Sequence, residues 1–236
     1  MLPSFERLPP QFQTDTVKCY HSILYKKRHR LIIKRMVDII VAFLSILILI
    51  IPMSVIGILI KATSKGPVFY KQKRITALGK QFNIIKFRTM YEHADESGML
   101  LTYGGDTRIT GLGKYLRKFR LDEIPQIFHV LSGKMSIVGT RPEVPKYVNK
   151  YTDEMMATLL LPAGITSLAS IMFKNEEDLL EGSKNPEKEY IDNILPQKMK
   201  YNLDYLSNYR MRNDFYLMVK TIKNVFITGG GSNGHL

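Results

Sequence analysis

The densest concentration of side chains capable of chemistry runs from Arg108 to Glu123. It supplies Arg108, Lys114, Arg117, Lys118 and Arg120, followed at once by Asp122-Glu123 and then Pro125-Gln126. Proline in a first helical turn and an acid at the N-cap both place a helix start at Asp122. A helix terminus and adjacent guanidinium groups would hold the Asp122 carboxylate ionised, and the same groups make a site for phosphate. A carboxylate beside a bound phosphate can attack phosphorus, provided a cation neutralises the phosphate oxygens. Glu123 next door could hold Mg²⁺, a hard ion that favours one or two carboxylates plus substrate phosphates. Taken in isolation such a pair is ordinarily structural, with Asp122 as an N-cap and Glu123 as a surface acid beside a nearby base.

Three further bases lie outside that segment. Lys86 and Arg88 alternate with Phe87, so on a strand they share one face, as phosphate ligands or as a solvated edge. Arg141 sits in Gly139-Thr140-Arg141-Pro142, a turn stiff enough to hold its guanidinium in place. No glycine-rich phosphate loop, Cys/His metal set or GxSxG elbow competes for the chemistry. The five histidines lack ligand spacing, which argues against zinc. The single cysteine, Cys19, excludes a disulfide framework and fits a reducing compartment.

The elements that must position these groups read as α+β, mainly helical. Val68–Arg74 and Gln81–Met90 are β-leaning runs joined across Leu78-Gly79-Lys80, which predicts a small hairpin. Leu112, Tyr115, Leu116 and Phe119 recur at helical spacing. Ile124–Leu131 reads as a helix entered at Asp122 and closed by Ser132-Gly133. Ser136–Val138 is strand-sized. Helical periodicity returns over Val144–Leu161, Ile191–Tyr209 and Phe215–Ile227, with a charged, loop-rich insertion at Asn175–Glu189. Residues 91–110 read as a loop with a short helix. The chain divides into a basic segment (1–35), an apolar segment (36–60), a catalytic domain (61–228) and a mobile tail (229–236) opened by Gly229-Gly230-Gly231.

Met36–Ile60 is 25 residues with 20 of them apolar, the exceptions being Asp38, Ser45, Pro52, Ser54 and Gly57. It is long enough to cross a hydrocarbon core of about 30 Å, and too long and too late for a signal peptide. Charge bears on its topology. The chain carries 34 Lys and Arg against 21 Asp and Glu, a net +13. Residues 1–35 hold 8 bases and 2 acids, residues 61–91 hold 8 bases and no acid, and residues 92–236 balance at 18 of each. Positive flanks mark the cytoplasmic side, and here both flanks are positive, with no second apolar segment to bring the chain back. Pro52 removes an amide hydrogen and crowds the carbonyl of Ile48. A re-entrant helix broken at Pro52 satisfies both observations, with Ser54 and Ser45 available to bond freed carbonyls. Asp38 would then lie at interface depth near Lys34 and Arg35. Basic residues interleaved with Tyr and Phe could suit nucleic acid, but beside a membrane segment anionic headgroups explain the charge more simply, so no nucleic-acid partner is expected.

These residues together resemble the bacterial sugar transferases, the monotopic polyprenyl-phosphate phosphoglycosyl transferases that start glycan assembly. The likeness covers residues 34–225 in order: Lys34-Arg35 with Asp38, the Pro52 break, Ser64-Lys65-Gly66-Pro67-Val68-Phe69, Gln72-Lys73-Arg74 and Lys86-Phe87-Arg88-Thr89-Met90. It continues through Arg117, Leu121-Asp122-Glu123, Pro125-Gln126, Ser132-Gly133-Lys134-Met135-Ser136 and Val138-Gly139-Thr140-Arg141-Pro142. The resemblance implies an enzyme of the bacterial inner membrane with its catalytic domain on the cytoplasmic face. Asp122 would attack the β-phosphate of a UDP-sugar, releasing UMP, and would hold the sugar phosphate until polyprenyl phosphate accepts it. Glu123 would bind Mg²⁺, and Lys86, Arg88, Arg117 and Arg141 would bind phosphate. Membrane lipids are implied partners, and a homo-oligomer is compatible.

The sequence departs from the family at three places. Thr76 stands where a glycine is common, Gly139-Thr140-Arg141-Pro142 replaces Gly-Pro-Arg-Pro, and Pro162-Ala163-Gly164-Ile165-Thr166-Ser167 replaces Pro-Gly-Ile-Thr-Gly plus an aromatic. These leave the acidic pair intact and bear on the sugar or nucleotide pocket. The rival expectation is a non-catalytic membrane adaptor with a basic docking face. Under it Asp122 and Glu123 would be dispensable, whereas Lys71, Lys73 and Arg74 would not.

Overall fold

A computed structural model describes residues 2–92, 106–180, 183 and 185–228. The tail at 229–236 and most of the 91–110 loop therefore lie outside the described residues. As the α+β reading anticipated, the chain is mainly helical, with two small two-stranded sheets among the described residues. Two 3₁₀ turns, Phe5–Arg7 and Pro10–Phe12, lead into α1 (Asp15–Lys26), whose first turn is capped by the Thr14 hydroxyl accepting from the Val17 N–H. The long helix α2 spans Arg28–Thr63. Strands β1 (Phe69–Ile75) and β2 (Gln81–Phe87) form the expected antiparallel hairpin, with Tyr70 opposite Lys86 and Arg74 opposite Phe82. Leu78 and Gly79 turn its corner with positive φ.

Helix α3 (Gly111–Lys118), a 3₁₀ turn (Leu121–Gln126) and α4 (Ile127–Leu131) follow, then β3 (Met135–Val138). Short helices α5 (Pro145–Val148) and α6 (Asp153–Met156) come next, with a 3₁₀ turn at Ala157–Leu160. They precede β4 (Ala163–Thr166), which pairs in parallel with β3. The last stretch is α7 (Leu168–Met172), α8 (Glu176–Leu180), α9 (Pro186–Glu189), a π turn at Tyr190–Ile194, α10 (Leu195–Ser207) and α11 (Met211–Thr228). Periodicity alone missed β4. Its four residues carry little alternation, and only the parallel partner makes them a strand.

The N-terminal residues are built into the globular body. Leu8, Phe12, Val17 and Leu24 are buried with Leu160, Leu206 and Tyr209. Fully burying side chains of this size contributes about 1.5–3 kcal/mol each, which fixes the start of α2 against the body. A second cluster gathers Ala42 of α2 with Phe82, Val130, Met135 and Leu217. A third, Met53, Ile56 and Ile60 with Phe87 and Leu116, fixes the other half of α2.

Helix α2 departs from the expectation of a break at Pro52. The helix continues from Arg28 to Thr63 with Pro52 inside it, about 54 Å if straight. Ser54 Oγ donates to the Ile50 carbonyl at 2.8 Å, a back-bond of the kind that bends helices without ending them. The buried positions come in two groups, Lys34, Asp38 and Ala42, then Met53, Ile56 and Ile60. Between them Phe43, Leu44, Leu47, Ile48, Ile50 and Ile51 are exposed. By length and composition α2 can cross a membrane.

Asp38, expected near Lys34 and Arg35, lies against the globular body. It is buried and accepts from Ser136 Oγ at 2.7 Å and from the Ile137 N–H at 3.3 Å, with Lys34 Nζ 3.8 Å away. A carboxylate so deep is retained because its lone pairs meet donors. Arg35 likewise turns inward, donating to the carbonyls of Val130 and Leu131 at 2.6 and 3.0 Å.

Candidate active site

Four segments converge on the acidic pair. The first is the 3₁₀ turn that carries it. Arg120, immediately before, adopts a left-handed conformation with φ 52°. That conformation costs a non-glycine residue about 1–3 kcal/mol and is retained where surrounding contacts impose it. It ends α3 and restarts the chain as a 3₁₀ turn, so Asp122 is the second residue of the turn and Arg120 occupies its N-cap. The expected N-cap role of Asp122 is thus corrected, because the cap falls two residues earlier, at Arg120, than the Pro125 spacing indicated.

The second segment is β2, which brings Lys86 Nζ to 2.9 Å from Glu123 Oε1. The third is the β3–β4 pair and its continuation. The Gly139 N–H donates to the Thr166 carbonyl at 3.0 Å, and the Gly164 N–H to the Thr140 carbonyl at 2.8 Å. Gly164 permits this closeness, since a Cβ there would stand 2.2 Å from the Gly139 nitrogen. The turn that follows delivers Arg141, whose Nη1 donates to Glu123 Oε2 at 3.0 Å while Nη2 donates to Oε1. The fourth is α4, where His129 Nε2 accepts the Ile85 N–H at 3.1 Å and ties the helix to β2.

The two acids, equivalent on paper, therefore differ in their surroundings. Both are buried. Glu123 receives the charge of Lys86 and Arg141 and is held well below the usual carboxylate range despite its burial. Asp122 accepts no hydrogen bond among the described residues. Burial first, then the neighbouring Glu123 charge, push its carboxyl up to about 6, against the opposing pull of Lys86, Arg117 and Arg141. The expectation that helix terminus and guanidinium groups dominate is reversed by desolvation. At neutral pH the group is ionised but reluctantly so, which makes a carboxylate a better nucleophile than one already spent on partners.

The other basic residues named from the sequence do not all converge. Arg88 is buried and donates from Nη2 to the Ser64 carbonyl and hydroxyl at 2.9 and 2.8 Å, at the end of α2. Its Nε and Nη1 are buried without partners. Arg117 Nε donates to Thr89 Oγ1 at 3.0 Å. Lys86 and Arg141 thus stand on Glu123, while Arg88 and Arg117 are anchored by Ser64 and Thr89, two hydroxyls that sequence reasoning passed over. Both lie inside motifs of the resemblance, Thr89 in Lys86-Phe87-Arg88-Thr89-Met90 and Ser64 in Ser64-Lys65-Gly66-Pro67-Val68-Phe69, but nothing local paired Ser64 with Arg88, 24 positions on.

For a divalent ion the donor set is Asp122 and Glu123; among the described residues no cluster of three His, Cys, Asp or Glu occurs. That set fits Mg²⁺ in the manner of nucleotide sites, where one or two carboxylates suffice because substrate phosphates complete the coordination.

The departures in sequence also find a physical account. Thr76, at the end of the hairpin, donates from Oγ1 to the Lys134 carbonyl at 2.7 Å and accepts the Ala163 N–H at 3.1 Å. One hydroxyl thus joins the hairpin to the residue before β3 and to the start of β4. Ser167 caps α7, its Oγ accepting the Ser170 N–H at 3.0 Å.

The family model for bacterial sugar transferases matches residues 29–228. The chain is 32% identical over 203 residues to a UDP-N-acetylgalactosamine-undecaprenyl-phosphate N-acetylgalactosaminephosphotransferase of Aeromonas hydrophila, covering 85% of this chain and 45% of that protein. It is 35% identical over 202 residues to a UDP-glucose:undecaprenyl-phosphate glucose-1-phosphate transferase of Klebsiella pneumoniae, covering 84% and 41%. A putative undecaprenyl-phosphate N-acetylgalactosaminyl 1-phosphate transferase of Bacillus subtilis is 38% identical over 130 residues, 55% of this chain and 73% of that protein. The chain thus spans less than half the length of the first two relatives. The match runs from the start of α2 to the end of α11 and takes in every segment that builds the acidic site, and the chain belongs to the bacterial sugar transferase family.

Proposed function

We propose that the protein transfers a sugar 1-phosphate from a UDP-sugar to polyprenyl phosphate through a phosphosugar–aspartate intermediate. The observation that carries this reading is the unequal pair: Glu123 is saturated by Lys86 and Arg141, whereas Asp122 beside it accepts no hydrogen bond among the described residues. In the first half-reaction an Asp122 oxygen attacks the β-phosphorus of the UDP-sugar. The new P–O bond forms as the bond from that phosphorus to the bridging oxygen breaks, and UMP leaves with the bonding pair. In the second, an oxygen of the lipid phosphate attacks the same phosphorus and Asp122 departs as carboxylate. Lys86 and Arg141 stabilise the phosphoryl charge that builds during both steps, and Arg88 and Arg117 bind phosphate at the flank nearer the end of α2. Mg²⁺ held by Glu123 and the substrate phosphates would supply further charge neutralisation.

The names of the relatives support the substrate classes, UDP-linked sugars and undecaprenyl phosphate. The contacts of α2 support a same-side topology. Its first half is tied to α4, β3 and α11 through Arg35, Asp38 and Lys34, and its last turns to β2 and α3 through Ile60, Phe87 and Leu116. Both halves of the helix rest on one globular body, which favours an exposed middle that meets the bilayer from the cytoplasmic side without crossing it.

The test is UMP release from UDP-sugars by purified protein in nanodiscs, with Mg²⁺ and before any lipid acceptor is added. A stoichiometric burst is expected, lost in Asp122→Asn; normal turnover by that variant refutes the mechanism. For topology, Cys19 is exposed and is the chain's only cysteine. A membrane-impermeant maleimide applied to intact cells should leave it unlabelled, as it should a cysteine placed at 192 in a Cys19→Ser background. Labelling of one but not the other would mean a span.

A further inference from the structure

We propose that α11 is a second membrane-contacting element, lying in the interface beside the start of α2 with its Phe215–Val219–Ile222 stripe among the acyl chains. The inference rests on the reading of α2 as membrane-embedded.

Helix α11 docks on the body by one face. Asp214 and Leu217 are buried, and Thr221 Oγ1 lies 2.7 Å from Thr166 Oγ1 of β4. Asp214 accepts from Lys34 Nζ at 2.9 Å and from Tyr205 Oη at 2.8 Å. These positions repeat at i, i+3 and i+7, the period of a helix face. A different stripe, Phe215, Val219 and Ile222 at i, i+4 and i+7, is left 50%, 53% and 58% exposed, with Tyr216 at 60%. Four large apolar side chains on one short helix, all more than half open or at the half-way mark, is unusual for a surface that meets only water.

Two observations identify the occupant as lipid. The first is continuity: Phe215 shares a crevice with Val37, together with Lys34, Met211, Asp214 and Met218. The stripe therefore adjoins the exposed apolar surface of α2, which includes Ile33, Met36 and Ile40. The second is charge. The only acid in α11, Asp214, points inward, while the helical period sets Arg212, Lys220 and Lys223 along one flank of the stripe, beside Tyr216. Lys220 Nζ sits 5.6 Å from the Tyr216 ring centroid, an aromatic and a base side by side as at membrane–water boundaries. A bilayer with anionic headgroups matches an apolar stripe flanked by bases. The consequence is that α11 and α2 together set the height of the catalytic body above the lipid.

The chain contains no Trp, so a single introduced Trp reports without background. Phe215→Trp and, as a second reporter, Ile222→Trp are placed in the full chain. Each is reconstituted into phosphatidylcholine–phosphatidylglycerol vesicles carrying bromine on the acyl chains, with Leu47→Trp on α2 as the reference. Both α11 reporters should lose most of their emission to bromines near the headgroup end of the chain and less to bromines near the bilayer centre, consistent with insertion of about 5–10 Å. Leu47→Trp should show the reverse order. Quenching at Leu47 but not at 215 or 222 overturns the proposal. A blue-shifted, unquenched Trp at those positions also overturns it, since the stripe would then be covered by a second copy or another protein. Loss of quenching at all three sites overturns the membrane reading of α2 itself.

Discussion

Replacing Arg141 by Ala isolates what the tertiary fold adds to the acidic pair. Arg141 donates through both terminal nitrogens to Glu123, leaving Lys86 at 2.9 Å as the other cation on that carboxylate. A hydrogen bond to a charged group contributes about 1.5–3 kcal/mol. Because the Arg141 side chain keeps 29% of its surface exposed and Lys86 remains, the stability loss should fall near the lower end, about 2 kcal/mol. A domain with a typical reserve of about 5–15 kcal/mol stays folded after such a loss. The catalytic loss is larger. Removing one preorganised donor from a site of developing phosphoryl charge costs about 10²–10³-fold, or about 2.7–4 kcal/mol. The assay pairs the rate of UMP release with thermal unfolding in the same nanodiscs. Arg141→Ala should release UMP about 10²–10³-fold more slowly while melting cooperatively. Arg141→Lys, which restores charge but not the fork, should recover only part of the rate. An Arg141→Ala protein that melts lower yet releases UMP within about threefold of wild type would refute the assignment of Arg141 to the transferred phosphate, since that is far below the loss expected of a phosphate donor.

Three further outcomes follow from the packing around the site. Gly164→Ala places a methyl 2.2 Å from the Gly139 nitrogen and 2.3 Å from its oxygen; both are backbone, so the β3–β4 pair must part, costing about 1–3 kcal/mol or more in denaturant titration. Asp38→Ala strips the acceptor from the Ile137 N–H and leaves Ser136 Oγ only the Val138 carbonyl; one buried donor left without a partner should lower stability by about 1–3 kcal/mol and raise hydrogen exchange in the first half of α2. Burial and Lys134 hold the His129 imidazole below its ordinary range, so the unfolded chain takes up the proton first. The stability contribution of neutral His129 is therefore complete above about pH 6.5 and is lost as pH falls through the lowered folded value. His129→Gln keeps an acceptor for the Ile85 N–H and should flatten the acid limb of the unfolding midpoint against pH; an unchanged limb would exclude His129 as its source.

Much of this protein is legible in one dimension because its signals are local. The apolar run of α2, the hairpin alternation and the helical spacing of Leu112, Tyr115 and Leu116 depend on neighbours within a few residues, and their elements stand where those patterns put them. The order of motifs from Lys34-Arg35 to Arg141-Pro142 was enough to point to the family. Signals that depend on distant partners failed. Strand β4 exists because β3 lies beside it, Asp38 is buried because Ser136 and Ile137 meet it, and the turn bearing Asp122 begins at Leu121, directly after the left-handed Arg120.

The sequence by itself determined that a basic, membrane-directed chain carries an Asp-Glu pair amid arginines. It could not say which acid does what, because adjacent carboxylates are alike until their surroundings differ. Folding brings Lys86 and Arg141, 37 positions before and 18 after Glu123, onto one carboxylate and leaves the other desolvated beside it. Desolvation and Coulomb attraction act through space at a few ångströms, so only the tertiary structure could divide the pair into a held acid and an available one.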